Sequence, residues 1–123
     1  MRNLTLTSSS AAIKLEASTV GNRSGDVGEI SDVVADGVKI RDTNRGVGIW
    51  QRSGNATTGH GRIRDVVFRN IDSVTRFDPK PKFWGSGEPL VLTVLPRNGG
   101  CCAGLENVSF EDSVFVAENS ALL

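Results

Sequence analysis

A short phrase recurs along the chain at wide and similar intervals. It consists of an apolar residue, a variable position, Asp or Asn, Val, and then alternating polar and apolar residues. The copies are Ile30–Val38, Ile63–Ile71 and Leu105–Ser113, with a degenerate copy at Met1–Thr7. Copies spaced by roughly 30 to 40 residues are typical of stacked repeats, in which each unit buries its apolar face only against its neighbours. The sequence therefore predicts a repeat architecture.

Each copy is expected to open with a β-strand whose side chains alternate between two faces. Val66 and Phe68 share one face, whereas Asp65, Val67 and Arg69 share the other. The equivalent apolar pairs in the other copies are Val33 with Ala35, and Val108 with Phe110. Stacking would join these pairs into continuous apolar rows, as a parallel sheet wound into a solenoid requires.

A later strand of each repeat carries the most informative surface. It is predicted at Ala12–Glu16, Gly46–Arg52 and Leu90–Val94, with a fourth copy at Ala121–Leu123. Alternation turns the apolar residues of this strand inward and the remaining residues outward. The outward residues are Lys14, Glu16, Gly48, Trp50 and Arg52. The sequence thus predicts a polar strip that contains one aromatic side chain.

The segments between these strands read as loops rich in Gly, Pro, Ser and Asn. They are Thr19–Asp26, Ser53–Gly61, Arg76–Glu88 and Pro96–Gly104. No segment shows a sustained helical period, and 123 residues suffice for one domain, taken as residues 1–123. The long period favours an all-β parallel solenoid of about four coils over a β-sandwich.

Charge and cysteine content exclude several classes of function. The 14 basic and 14 acidic residues cancel, so nothing favours nucleic acid or an anionic membrane as a partner. No apolar stretch approaches the roughly 18 residues of a membrane span, and the start lacks the apolar core of a signal peptide. Cys101 and Cys102 are interpreted as free thiols in a loop. The chain has no other cysteine, and its one histidine is His60, so partners for a metal site are too few. We expect no metal and no cofactor.

Taken together, these segments resemble the right-handed parallel β-helix of glycoside hydrolase family 28, the polygalacturonase-like enzymes with a pectin-lyase-like fold. Ile63–Ile71 and Leu105–Phe110 resemble the coil-opening strands of that family. Ala11–Glu16 followed by Asp42–Ile49 resembles the strand pair on its substrate side, and Thr75–Pro89 is similar to a loop of a less studied branch.

This resemblance implies a secreted or extracellular hydrolase that cleaves the glycosidic bonds of a pectin-like cell-wall polysaccharide with inversion. Inversion needs one carboxylic acid and one carboxylate base. The family supplies these from an Asn-Thr-Asp string and an Asp-Asp pair, and neither string occurs in this chain. Both precede the strand matched by Ala11–Glu16, so the resemblance implies a C-terminal fragment with no catalytic residues, which needs further N-terminal coils.

Two other family strings are replaced. The histidine of the Gly-His-Gly string falls at about Ala11 by this resemblance, and the Arg-Ile-Lys string falls on Gly48, Ile49 and Trp50. His60 lies between two glycines, but it occurs in a loop before a coil opening and is interpreted as a loop residue.

A substrate-binding surface is expected on the outward strip. Its candidate residues are Lys14, Glu16, Trp50, Arg52, Trp84 and Glu88. Trp50 is suited to stack on a pyranose ring, and Lys14 or Arg52 to pair with a uronate carboxylate. Alternatively, Trp50 packs beneath a long loop that contains Trp84 and Glu88, and the charges are only solvated. That loop either overhangs the groove or covers the side of the solenoid.

The sequence suggests three functions. The leading one is that the chain contributes part of the groove of a polysaccharide hydrolase. Alternatively, it is a non-catalytic carbohydrate-binding β-helix. A polysaccharide lyase ranks last, because no clustered carboxylates for calcium are visible. Asp32 and Asp65 are disfavoured as replacement catalytic acids, because Asn107 and Asn3 fill the same slot of the repeated phrase.

Overall fold

A computed structural model describes residues 2–18, 28–52, 61–76, 86–95 and 104–118. These residues form eight β-strands and no helix. The strands are β1 (Arg2–Leu6), β2 (Ala11–Ser18), β3 (Glu29–Thr43), β4 (Arg45–Arg52), β5 (Arg62–Thr75), β6 (Glu88–Leu95), β7 (Gly104–Glu111) and β8 (Val114–Ala117). The predicted all-β class is confirmed for the described part of the chain.

The strands form two sheets, and β1 to β7 alternate between them. The first sheet has the order β1-β3-β5-β7, and β8 also pairs with β5; the second has the order β2-β4-β6. Every strand pair is parallel. Each sheet adds its strands in chain order, so each repeat contributes to the first sheet and then to the second. This arrangement is compatible with a parallel β-helix.

The repeated phrases align in register in the first sheet. Val33 pairs with Val66, which pairs with Val108. In the adjacent row of the same face, Phe68 is fully buried and its ring stacks on Phe110 with centroids 5.1 Å apart. The predicted apolar rows are therefore confirmed, and they form one wall of the core.

The Asp or Asn slot of the phrase is a left-handed backbone position. The φ angles of Asp32, Asp65 and Asn107 are 57°, 54° and 51°. A second row of left-handed residues follows at Gly37 in β3, at Asn70 in β5 and at Asp112 just after β7, with φ angles of 68°, 53° and 47°. Gly, Asn and Asp adopt this conformation at the lowest cost, so they mark the points where these strands bend.

The N-terminal segment belongs to a different row from the one predicted. Arg2 pairs with Asp36 and Leu4 pairs with Val38, which places Asn3 opposite Gly37. Met1–Thr7 is therefore not a copy of the coil-opening phrase, and the assignment of Asn3 to the slot of Asp32 was wrong. The two rows look alike because each has a left-handed residue followed by alternating apolar residues.

The hydrophobic core lies between the sheets and comes mostly from the middle strands. Its buried members are Ile13, Ala17, Ala35, Val38, Ile40, Val47, Ile49, Ile63, Val66, Phe68 and Ile71. Leu92 of β6 faces the same side as Ile49, its partner in register, yet is 47 % exposed. Among the described residues, most of the buried apolar side chains thus lie on β3, β4 and β5, and β4 carries the aromatic residue of the candidate site.

Candidate functional site

The outer face of the second sheet holds the predicted strip. Lys14 of β2 pairs in register with Gly48 of β4, and Glu16 pairs with Trp50. Ile13, next to Lys14, is buried, as is Ile49 between Gly48 and Trp50. The predicted alternation is confirmed for these residues, because Ile13 and Ile49 face the core whereas Lys14, Glu16 and Trp50 face outward; the polar Gln51 is the exception and is buried.

Trp50 lies across Gly48. A Cβ atom at Gly48 would overlap the six-membered ring of the Trp50 indole. Any other residue at position 48 would therefore force the indole away from the sheet. Gly48 is itself buried beneath the ring, whereas Trp50 is half-buried and keeps part of its surface exposed.

Two cations flank the indole. Lys14 Nζ lies 5.4 Å from the ring centroid, and Arg45 Cζ lies 5.0 Å from it. Cation–π contacts at this range contribute about 0.5–1 kcal/mol at exposed sites and more where the cation is desolvated. The two contacts hold the indole in place against the sheet.

Each of these cations is paired with a carboxylate. Lys14 forms an ion pair with Glu16, and Arg45 Nη2 donates to Glu88 Oε1 at 3.1 Å. The Lys14 side chain is 53 % exposed, whereas the Arg45 side chain is only 16 % exposed. We call Lys14, Glu16, Arg45, Trp50 and Glu88 the Trp50 surface. It contains one half-buried aromatic ring and two neutralised charge pairs, of which the Lys14–Glu16 pair is the more accessible.

Glu88 is held in its charged form. Burial raises the pKa of Glu88, but hydrogen bonds from the backbone N–H of Ser86, at 2.6 Å, and from Arg45 more than offset it. The pKa of Glu88 is therefore below its usual range, and the carboxylate is ionised at neutral pH. Arg45 consequently faces a full negative charge.

Glu88 does not lie in the long loop predicted from the sequence. It is the first residue of β6 and pairs in register with Arg45 at the start of β4. The preceding residue, Gly87, continues this pairing, because its N–H donates to the carbonyl of Asn44 at 2.8 Å. The loop prediction for Glu88 was wrong, since pairing with β4 extends the sheet further towards the N terminus than the Gly and Pro content suggested.

Arg45 is the residue that sequence reasoning missed. It is not among the six candidate residues of the predicted surface, yet it contacts both Trp50 and Glu88. Its contact with Glu88 joins residues one repeat apart, at a separation of 43 positions. In the register of β4 with β6, the first two residues opposite each other are Arg45 and Glu88. Their opposite charges identify the pair once that register is known.

The structure thus brings together four of the six predicted site residues. Lys14, Glu16, Trp50 and Glu88 gather on one face, with Arg45 between Trp50 and Glu88. Arg52 ends β4, but its side chain lies outside the described residues, as does Trp84. The loop residues His60, Cys101 and Cys102, and the predicted strand Ala121–Leu123, also lie outside them.

Chemically, the Trp50 surface offers an apolar ring face bordered by hydrogen-bond donors and acceptors. In the five described ranges, no group of three or more His, Cys, Asp or Glu side chains is placed to hold a metal ion. The described residues also contain no helix long and apolar enough to cross a membrane.

Comparison with known proteins identifies no relative. No family model matches the sequence, and neither a curated protein nor a solved structure matches the chain. The resemblance to glycoside hydrolase family 28 therefore stays a prediction from the sequence.

Proposed function

We propose that the chain is part of a right-handed parallel β-helix of the polygalacturonase-like type, and that its Trp50 surface binds a pectin-like polysaccharide for an inverting glycoside hydrolase. Three observations support this proposal. The repeated phrases resemble the coils of that family, β1 to β7 alternate between two parallel sheets, and the outward strip carries an aromatic residue among charged ones.

The observation that carries the proposal is the position of Trp50. The indole lies along the sheet over Gly48 and is held there by two cations, so it is ordered before any ligand arrives. A rigid aromatic platform loses little conformational entropy on binding. Sugar rings have apolar C–H faces that pack on such platforms, and their hydroxyl groups would find donors and acceptors in the charge pairs beside the ring.

The proposed role of these residues is binding and not the chemical step. Inverting hydrolysis needs a protonated carboxyl group and a free carboxylate base. Glu16 is paired with Lys14, and Glu88 is paired with Arg45 and has a lowered pKa, which is unsuited to a proton donor near neutral pH. Hydrolysis is therefore assigned to the Asn-Thr-Asp and Asp-Asp strings of the family, which residues 1–123 lack.

A non-catalytic carbohydrate-binding β-helix is the second candidate, and the same ordered indole favours it. Both candidates have a polysaccharide partner and act where cell-wall polysaccharides lie, outside the cell. They differ in whether the Trp50 surface works beside a catalytic centre. We expect residues 1–123 alone to bind pectin fragments without releasing reducing ends.

Affinity electrophoresis in gels that contain pectin, with calorimetry on short pectin oligosaccharides, tests the binding proposal. Trp50→Ala is expected to lower the affinity at least about tenfold, because aromatic residues of this kind dominate binding energy at such surfaces. The matched control is Val114→Ala on the first sheet, where the side chain is 59 % exposed. Equal affinity for Trp50→Ala and the unmodified chain would remove the Trp50 surface from consideration.

A further inference from the structure

We infer that the Trp50 surface takes an uncharged sugar unit, such as a neutral sugar or an esterified uronate, in preference to a free uronate. This inference rests on the proposed carbohydrate-binding function and adds the class of sugar to it. It follows from how the charges around Trp50 are already paired.

The first step is the charge balance of the surface. Two cations, Lys14 and Arg45, face two carboxylates, Glu16 and Glu88, so the four side chains have no net charge. A surface selected for uronates would present unpaired cations, because a planar guanidinium or an ammonium group is what pairs with a carboxylate. In the described part of the Trp50 surface, both cations already have that partner within the chain.

The second step is accessibility. The guanidinium side of the surface is largely covered, since the Arg45 side chain is 16 % exposed and lies between Trp50 and Glu88. The cation that a ligand can reach is Lys14, whose pairing with Glu16 places a donor and an acceptor together beside the indole. A sugar hydroxyl can use both groups at once, because it donates to Glu16 and accepts from Lys14. A carboxylate can only accept.

The third step is the cost of placing a uronate on this surface. Its carboxylate would have to displace Glu16 or Glu88 from its cation, or else lie close to that like charge. Displacement breaks one charge-assisted pair to form another, and it also removes water from the incoming carboxylate. The uronate therefore gains little electrostatic attraction, whereas its carboxylate loses hydration free energy. An uncharged unit avoids this cost and keeps the stacking on Trp50.

The test uses two ligands that differ at the uronate carboxyl groups: tetragalacturonate, in which they are charged, and its fully methyl-esterified form, in which each is a neutral ester. Calorimetry at low and at moderate salt gives both affinities, and the indole N–H resonance of Trp50 reports contact with the ring. We expect the ester to bind about fivefold to tenfold more tightly than the acid, with little dependence on salt, because screening acts on net charge. Tighter binding of the acid that weakens with salt would overturn the inference and leave the carbohydrate-binding function intact. Binding of neither ligand would overturn both.

A variant separates charge pairing from shape. Glu16→Gln keeps the size of the side chain and an acceptor oxygen but leaves Lys14 without its ion-pair partner, so the affinity for the acid should rise at least about threefold relative to the affinity for the ester. The matched control is Glu106→Gln on the first sheet, a glutamate with a 58 % exposed side chain near Arg62, which should change neither affinity. An unchanged preference in Glu16→Gln would contradict the assignment of the preference to this charge pair.

Discussion

Asn107 donates a hydrogen bond from its side-chain Nδ2 to Asp65 Oδ1 at 2.8 Å, and the two residues occupy the same left-handed slot of neighbouring strands. A related contact joins Asn70 to Asp36, also at 2.8 Å. The slot therefore has two physical roles. Its backbone bends the strand, and its side chain links one repeat to the next.

The first prediction concerns the acid stability that the Asp65 contact provides. The hydrogen bond from Asn107, followed by the contact with Arg64, holds the pKa of Asp65 below its usual range. A carboxyl group whose pKa is lower in the folded chain stabilises the fold above its unfolded pKa of about 3.9. This contribution is lost as pH falls through the lower, folded value. The free energy of unfolding should thus be level near neutral pH and decline below about pH 4.

Asp65→Asn and Asn107→Gly test this contribution through urea unfolding followed by circular dichroism at a series of pH values. Both variants keep a residue that tolerates the left-handed backbone. Each should make the decline of the unfolding free energy below about pH 4 shallower than in the unmodified chain. A decline of unchanged steepness in both variants would show that this contact does not lower the pKa of Asp65 in solution.

The second prediction concerns the left-handed backbone itself. Asp112 has a φ angle of 47° and is exposed, so its side chain contributes little packing. Asp112→Ala should lower the free energy of unfolding by up to about 1–2 kcal/mol, because alanine lacks the polar side chain with which Asp offsets part of the cost of this conformation. Asp112→Gly should cost much less, because glycine adopts the conformation freely. Equal losses in the two variants, measured by urea unfolding, would contradict a backbone origin.

The third prediction compares two glycines of β4. A Cβ atom at Gly46 would overlap the backbone carbonyl of Pro89 and lie 2.5 Å from Ser73 Oγ. Because backbone cannot move cheaply, Gly46→Ala should destabilise the fold by about 1–3 kcal/mol. At Gly48 the overlap is with the Trp50 indole, which can rotate away. Gly48→Ala should therefore cost less stability but leave the indole more exposed.

Both glycine variants can be measured in a Trp84→Phe background, where Trp50 is the only tryptophan. Urea unfolding gives the stability of each variant, and iodide quenching of fluorescence gives the exposure of the indole. Gly48→Ala should raise quenching and weaken binding of pectin oligosaccharides, whereas Gly46→Ala should mainly lower stability. Unchanged quenching in Gly48→Ala would mean that the indole does not lie over position 48 in solution.

The sequence was sufficient to predict the apolar rows and the outward strip, because both depend on a simple period of two. Val66 and Phe68 alternate with polar or less buried residues, and the same pattern sets Trp50 outward between Ile49 and Gln51. A local pattern of this kind needs no knowledge of which strands are neighbours. The strand class and the face of each residue therefore follow from the sequence.

The register of the N-terminal segment could not be predicted in the same way. Asn3 fits both left-handed rows, since each contains both Asn and Asp and is followed by alternating apolar residues. Only pairing of Arg2 with Asp36 decides between the rows. The Arg45–Glu88 pair was missed for a related reason. Its partners meet only through the register of β4 with β6, and Pro89 made the start of β6 resemble a loop.

The last prediction concerns a hydrogen bond that links the first sheet to the segment entering β6. Thr75 is fully buried, and its Oγ1 donates to the carbonyl of Gly87 at 2.5 Å. Gly87 precedes Glu88, so this bond helps to fix the position from which Glu88 reaches Arg45. Thr75→Val keeps the shape of the side chain but leaves the buried carbonyl of Gly87 without this donor, which should cost about 1–3 kcal/mol of unfolding free energy.

Thr75→Ser is the matched control, because it keeps the hydroxyl group and removes only a methyl group. Its loss of stability should be smaller, at about 1 kcal/mol for one buried methyl group. If the bond also positions Glu88, Thr75→Val should loosen the Arg45–Glu88 pair and increase the motion of the Trp50 indole, whereas Thr75→Ser should not. Urea unfolding and the line width of the indole N–H resonance measure the two effects. A larger loss in Thr75→Ser than in Thr75→Val would assign the role of this residue to packing instead of hydrogen bonding.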